Sequence, residues 1–247
     1  MSRIVTAYSV LDRSPDGHQV TKVRLAAFDA RRRFRNELRV NQLLNAHPPP
    51  VLRPTLLAGD VQRRSLTFDA VDGRVLGPKY PHELATNDIN AIIDLGLRLI
   101  SFNPRRRWFR RIDSAQRLRL AHRAGLITDR QLHHLIDLAA KVHRPVSFGH
   151  GDLTARNVID SPRGMVLIDW EWAGLYPDGY ELAFLWFSLV DVDGGRARVA
   201  AQIGPDQRAF LLSALLIQLW HLQWYVPDEF RSNHLATRDE LIAQLGL

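Results

Sequence analysis

The chain has 247 residues, 46% of them hydrophobic, and a formal net charge of +7; that is enough length and apolar content for one large domain or for two lobes around a cleft. It contains no cysteine, which excludes a disulfide framework, a thiolate metal site and a cysteine nucleophile and makes the cytoplasm the default compartment. No apolar run approaches the roughly 20 residues of a membrane span and the first residues carry no signal-peptide pattern, so no membrane partner is expected.

The charge is uneven. Its basic excess falls before residue 145, whereas residues 145–193 are acidic, an arrangement that would draw phosphates to the first region and a divalent cation to the second. Residues 4–11 (IVTAYSVL) and 19–25 (QVTKVRL) read as two strands joined by the turn Ser14-Pro15-Asp16-Gly17. Alternation puts Val20, Lys22 and Arg24 on one face, which makes Lys22 the candidate phosphate-contacting lysine; taken alone, a solvated strand residue is the plainer reading. Residues 29–44 fit an amphipathic helix with arginines crowded at its start and Glu37 inside it. Glu37 reads either as the partner of the strand lysine, as in a kinase-like fold, or as a solvated residue in an i,i+4 contact.

His47 and the three prolines after it end that helix. Residues 52–57 and 65–71 read as strands around a turn at Ala58-Gly59-Asp60, and Gly73 suits a hinge. A helix over 87–102 shows an almost all-round apolar surface, as a buried helix does. Five arginines interleaved with aromatics follow at 105–111; no nucleic-acid module surrounds them, so they read as a solvated or phosphate-facing surface and nucleic acid is not an expected partner. Further helices are expected at 114–124, at 129–142 with Thr128 as N-cap, at 182–190 and at 207–224. Trp170, Trp172 and His221 divide between core packing and a substrate wall.

The chemistry concentrates in residues 148–169, FGHGDLTARNVIDSPRGMVLID. Two short apolar strands flank a Ser161-Pro162-Arg163-Gly164 turn and present Asp152, Asn157 and Asp169 at the ends of the hairpin. All three carry oxygen donors, which suit a hard cation such as Mg²⁺ and not zinc. An Asp, an Asn five residues on and a second Asp after the next strand match the phosphoryl-transfer template in residue type, offset and intervening strand. Read separately, they would be a turn former, a hairpin polar residue and a helix cap.

On His150-Gly151-Asp152-Leu153 with Asn157, Leu167-Ile168-Asp169-Trp170-Glu171 and Tyr180-Glu181-Leu182-Ala183, the chain resembles the aminoglycoside phosphotransferase and choline kinase-like superfamily, relatives of the protein kinases. The close match spans residues 148–184. The resemblance implies an α+β, two-lobed protein-kinase-like fold: a short β-rich nucleotide-binding lobe over residues 1–72 and a mainly helical catalytic and acceptor-binding lobe over residues 73–247. It implies transfer of the γ-phosphate of ATP or GTP, with Mg²⁺, to a hydroxyl of a small molecule such as an antibiotic or metabolite. Asp152 would be the base or substrate-orienting carboxylate, Asn157 and Asp169 would hold metal, and Lys22 with Glu37 would position the nucleotide phosphates. His150 and Glu181 would brace the loop.

Two departures stand out. Only about twenty residues precede Lys22, so the phosphate-covering loop is expected to be missing or rebuilt from Asp12–His18, and a partner chain or homodimer could complete the lobe. Thr154-Ala155-Arg156 replaces the family's usual His-Pro-Gly-like stretch, which places Arg156 beside a phosphate or an anionic acceptor. A kinase of peptide or protein hydroxyls, and a catalytically weak nucleotide-binding protein, remain the alternatives.

Overall fold

A computed structural model describes residues 3–6, 8–26, 29–142, 146–204, 207–224, 226 and 231–247. The polypeptide folds into two lobes. The first is a five-stranded antiparallel sheet in the order β1-β2-β3-β5-β4, with one helix, α1 (Ala30–Ala46), packed on it. Its strands are β1 (Arg3–Val5), β2 (Ser9–Arg13), β3 (Gln19–Arg24), β4 (Leu56–Asp60) and β5 (Ser65–Asp69). A small core of Phe34, Leu56 and Leu66 joins helix to sheet.

Residues 4–11 are therefore two strands and not one. The Thr6 hydroxyl accepts from the Ser9 amide at 3.0 Å and the Thr6 amide donates to the Ser9 carbonyl at 2.8 Å. This local turn breaks the ladder and folds β1 back on β2; Ala7 lies outside the described residues. The short lobe thus fits a strand and a loop ahead of the hairpin that carries Lys22. Asp12–His18, the segment expected to rebuild a phosphate-covering loop if one is present, lies at the opposite end of β2 from the Thr6 turn. It forms the end of β2 and the β2–β3 turn at the far end of the sheet, where Arg13 pairs with Asp72 at 2.5 Å.

The expected turn at Ala58–Asp60 is also displaced. Ala58, Gly59 and Asp60 belong to β4, and Leu52 makes only an isolated bridge to Val166. Gly59 is there for close approach, because a Cβ on it would lie 2.6 Å from Leu38 Cδ1 of α1. The turn comes one step later, where Asp60 Oδ1 accepts from the amides of Gln62 and Arg63 at 2.8 and 2.9 Å.

Beyond residue 73, β6 (Arg74–Val75) joins β8 (Val158–Ser161) and β9 (Gly164–Leu167) in a three-stranded sheet, while β7 (Val146–Gly149) pairs with β10 (Gly174–Pro177). The rest is helical: α2 (Thr86–Ser101), α3 (Ser114–Arg123), α4 (Asp129–Val142), α5 (Tyr180–Ser188), α6 (Gly195–Ala200), α7 (Arg208–Trp224) and α8 (Arg231–Gln244). The apolar α7 is buried almost all round against α3, α4, α5 and α8. By contrast α2 is amphipathic: Ile89, Ile92, Ile93, Leu95 and Leu99 are buried, while Leu97 is exposed. Thr128 caps α4 in a reciprocal pair with Gln131, each side chain accepting from the other's amide. The arginines of 105–107, 110 and 111 are exposed, and the intervening Phe109 packs on Phe148 with ring centres 4.7 Å apart.

Leu153, fully buried next to Asp152, fills the space above Gly96 of α2, where a Cβ would lie 3.0 Å from its Cδ2. Leu153→Ala is expected to lower unfolding stability by about 2–5 kcal/mol, as large-to-small changes at closed sites do. Chemical denaturation measures it.

Candidate active site

The two lobes meet on a cleft of about 1170 Å³, lined by β2 and β3 above and by the 152–172 segment and the C-terminal helices below. The loop that carries Asp152 hangs between β7 and β8. Gly151 turns with φ +80°, and a Cβ there would strike the Tyr176 hydroxyl, so the bend needs glycine. Glu181 of α5 braces it by accepting from the Gly151 amide at 2.7 Å. His150 Nε2–H donates to the Ile168 carbonyl at 2.9 Å, which locks the loop to the strand that leads into Asp169.

Asp152 and Asn157 come together through a short 3₁₀ turn over residues 155–157. Asn157 Nδ2 donates to the Asp152 carbonyl at 2.8 Å and to its carboxylate at 3.0 Å, which leaves Oδ1 as the ligand atom the side chain can offer. The Asn157 carbonyl accepts from the Ile168 amide at 2.9 Å. The hairpin register therefore sets Asn157 beside Asp169. Asp169 itself is in the left-handed region, φ 65° and ψ 62°, and its side chain is 29% exposed to the cleft.

Lys22 and Glu37 meet as well. Lys22 Nζ lies 2.8 Å from Glu37 Oε1 and 2.8 Å from Asp169 Oδ1. Burial opposes the ammonium's charge, but Asp169 and Glu37 outweigh it and hold the Lys22 pKa above the ordinary lysine value. Burial likewise opposes ionisation of Asp169, and Lys22 overrides it, leaving that carboxyl at about 2.

A second cation was not singled out from sequence. Arg24, two residues after Lys22 on the same face, is 3.0 Å from Glu37 Oε2 and pairs with Glu171. The signal existed in the strand alternation. Arg33, from the arginine-rich start of α1, lies 3.6 Å from Glu171 and is held between the rings of Tyr8 and Trp172 at 5.1 and 5.3 Å. Trp172 is thus a half-buried cleft wall, whereas Trp170 borders the cleft but is packed in the core, 1% exposed. Lys79, which no motif marks, places Nζ 3.0 Å from Asp152 Oδ1, and Arg156 Nη2 is 3.2 Å from Oδ2.

Oxygen atoms of Glu37, Asp169 and Glu171 lie within 4.8 Å of one another, but Lys22 and Arg24 already neutralise that group. The donor set that fits a hard divalent ion is Asp169 with Asn157 Oδ1, all oxygen and facing the cleft. His221 is 4% exposed, and burial followed by the nearby Lys79 pushes its pKa down to about 3, so it is a neutral part of the wall. Among the described residues no helix is long and apolar enough to cross a membrane.

A model of a phosphotransferase enzyme family matches residues 8–215 of the chain. The fold is similar to choline kinase LicA from Streptococcus pneumoniae, with TM-score 0.69 and 15% identity over 99% of this chain and 94% of that one. It is similar also to aminoglycoside phosphotransferase APH(4)-Ia, with TM-score 0.68 and 14% identity over 98% and 92% of the two chains. The GDP complex of wild-type aminoglycoside 2'-phosphotransferase-IIIa follows with TM-score 0.65 and 14% identity over 99% and 93%. No curated protein sequence matches. At these identities the structural likeness speaks to fold, which is protein-kinase-like.

Two outcomes follow from this geometry. Arg24→Met removes one buried cation from both Glu37 and Glu171, leaving Glu37 with Lys22 at 2.8 Å and Glu171 with Arg33 at 3.6 Å, and is expected to cost up to about 3–5 kcal/mol of stability, read from the denaturation midpoint. Burial raises the Glu181 carboxyl to about 7 from an ordinary 4.5, against the opposing hydrogen bonds from Gly151 and His150. Between those values the folded chain holds a proton that the unfolded chain has released, so stability falls as pH rises from 4.5 to about 7. Glu181→Gln is expected to remove that part of the slope when urea midpoints are compared across the same window.

Proposed function

The chain belongs to the phosphotransferase enzyme family, and on that premise we propose that it transfers the γ-phosphate of ATP or GTP, with Mg²⁺, to a hydroxyl of a small molecule. The observation that carries this reading is convergence: Lys22, Glu37, Asp152, Asn157 and Asp169 come from separate stretches of sequence and line one cleft. The inner half of that cleft offers Val20, Phe68, Ile159 and Ile168 as apolar surface for a base. Lys22, fixed by Glu37, then faces the phosphates, and Asp152 lies on the acceptor side.

In the reaction the acceptor oxygen forms a bond to the γ-phosphorus, and the bond from that phosphorus to the β,γ-bridging oxygen breaks. The hydroxyl proton passes to an Asp152 carboxylate oxygen. Asn157 fixes Asp152 through its amide nitrogen, and Glu181 with His150 holds the loop that carries both. A bound Mg²⁺, held by Asp169 and Asn157, would neutralise charge on the phosphate oxygens. The protein therefore contributes position and charge, which this chemistry mainly needs.

A small acceptor suits the cleft because residues of α7 and α8, including Gln218, Asn233 and Thr237, wall its outer half. Five strands in the first lobe and a cleft of this size favour an active enzyme over a weakened nucleotide-binding protein. Turnover of ATP and GTP against a panel of hydroxyl-bearing compounds tests the proposal. Asp152→Asn is expected to lower kcat by about 10²–10⁴-fold, and Asp169→Asn or chelation of the metal should abolish turnover. Full activity in either variant would sink the assignment.

A further inference from the structure

The acceptor half of the cleft holds more positive charge than hydroxyl activation requires. Lys79 enters from the loop between β6 and α2 and sits 3.0 Å from Asp152 Oδ1, while Arg156 approaches Oδ2 at 3.2 Å. Two cations on one carboxylate leave an excess positive charge at this corner. Both stay partly open to the cleft, with side chains 27% and 50% exposed, so each keeps N–H groups for a ligand.

The wall behind Lys79 is aromatic. Its ammonium lies 5.3 Å from the ring centre of Phe184 and 5.8 Å from that of Tyr80, and Phe187 packs edge-on against Tyr80 at 6.0 Å. Aromatic faces of this kind recognise ammonium ligands. Here the protein's own ammonium covers them, and a cationic acceptor would have to displace it. Farther out, Arg196 lines the same half, stacked on Trp186 at 3.8 Å. Asp191, the other carboxylate of that half among the described residues, interacts with Arg196 and lies 3.7 Å from His82, which carries charge only when protonated.

We propose that the acceptor is an anionic small molecule, a hydroxy-carboxylate or a hydroxylated phosphate ester, whose anionic group is held by Lys79 and Arg156 while its hydroxyl lies at Asp152. The assignment rests on the phosphotransferase reading above. An anion at this corner completes the charge balance that Asp152 alone leaves open, whereas an amine would place a third cation beside Lys79 and Arg156. Because Asp152 is shared with both cations, the anion is delivered within reach of the carboxylate that takes the hydroxyl proton. Charge thereby selects and orients in one contact.

The experiment supplies the full chain with Mg²⁺ and ATP and measures ADP release and phosphorylated product against four pools: hydroxy-carboxylates such as glycerate, sugar phosphates, neutral polyols such as glycerol, and hydroxylated amines including choline and kanamycin. Product is expected from one of the two anionic pools, and which one identifies the anion. Lys79→Met is expected to raise KM for that acceptor about tenfold or more, the value of one charge-assisted hydrogen bond, with kcat changed less. Preference for the amine pool, or equal rates across all pools, overturns the proposal while leaving the kinase reading intact. So does a Lys79→Met effect confined to kcat and equal for every acceptor. Failure of every pool also overturns it, and loss of Mg²⁺-dependent ATP binding in calorimetry would count separately against the kinase reading.

Discussion

Everything at this site depends on burying three cations and three carboxylates together. Lys22, Arg24 and Arg33 face Glu37, Asp169 and Glu171 in the seam between the lobes, most of them nearly excluded from water. Taking charges out of water costs several kcal/mol per ion, and only close, mutual pairing offsets that cost. The seam meets the requirement by drawing partners from three elements: a strand, a helix and the segment after β9. None of the three can shift without leaving a charge unmatched, so the constraint that makes the seam expensive also fixes where the lobes meet.

That fixed seam sets the position of Asp169, and the hairpin β8–β9 carries the same precision to Asn157 and Asp152. The loop is then clamped from the other side by Glu181, whose anchor, α5, packs against the buried α7. The groups proposed to act in the cleft thus stand on supports that reach into both cores. Function follows from that rigidity, since phosphoryl transfer draws on position and charge more than on covalent help from the protein.

Much of this was legible because it is local. Asp152, Asn157 and Asp169 lie within one hairpin, where spacing translates directly into geometry, and strand alternation set Lys22 on a definite face. Beyond that range the sequence is less informative. The run 4–11 is mostly β-branched and apolar, and its two aliphatic hydroxyl residues, Thr6 and Ser9, are as much at home in a strand as in a turn, so its pattern does not reveal that Thr6 turns the backbone. Gly59 looks like a turn former and is in fact a gap for Leu38. The helices at 195–200 and 231–244 carry too few periodic apolar residues to stand out, and α2 looked apolar all round when only one face is buried. Lys79 and Arg24 act through partners 73 and 147 residues away, which no local pattern encodes.

The two rungs of the seam share a peculiarity: Lys22 to Asp169 and Arg24 to Glu171 each span 147 residues. All five strands of the first lobe, by contrast, lie within the first 69 residues. Contacts near in sequence close early and distant ones late. During synthesis the first lobe can pair its strands while Lys22 and Arg24 have only Glu37 to share, and their other partners emerge more than half the chain later. The seam between the lobes therefore closes well after the first sheet, and a chain arrested before residue 169 would carry that sheet without its distant partners for Lys22 and Arg24.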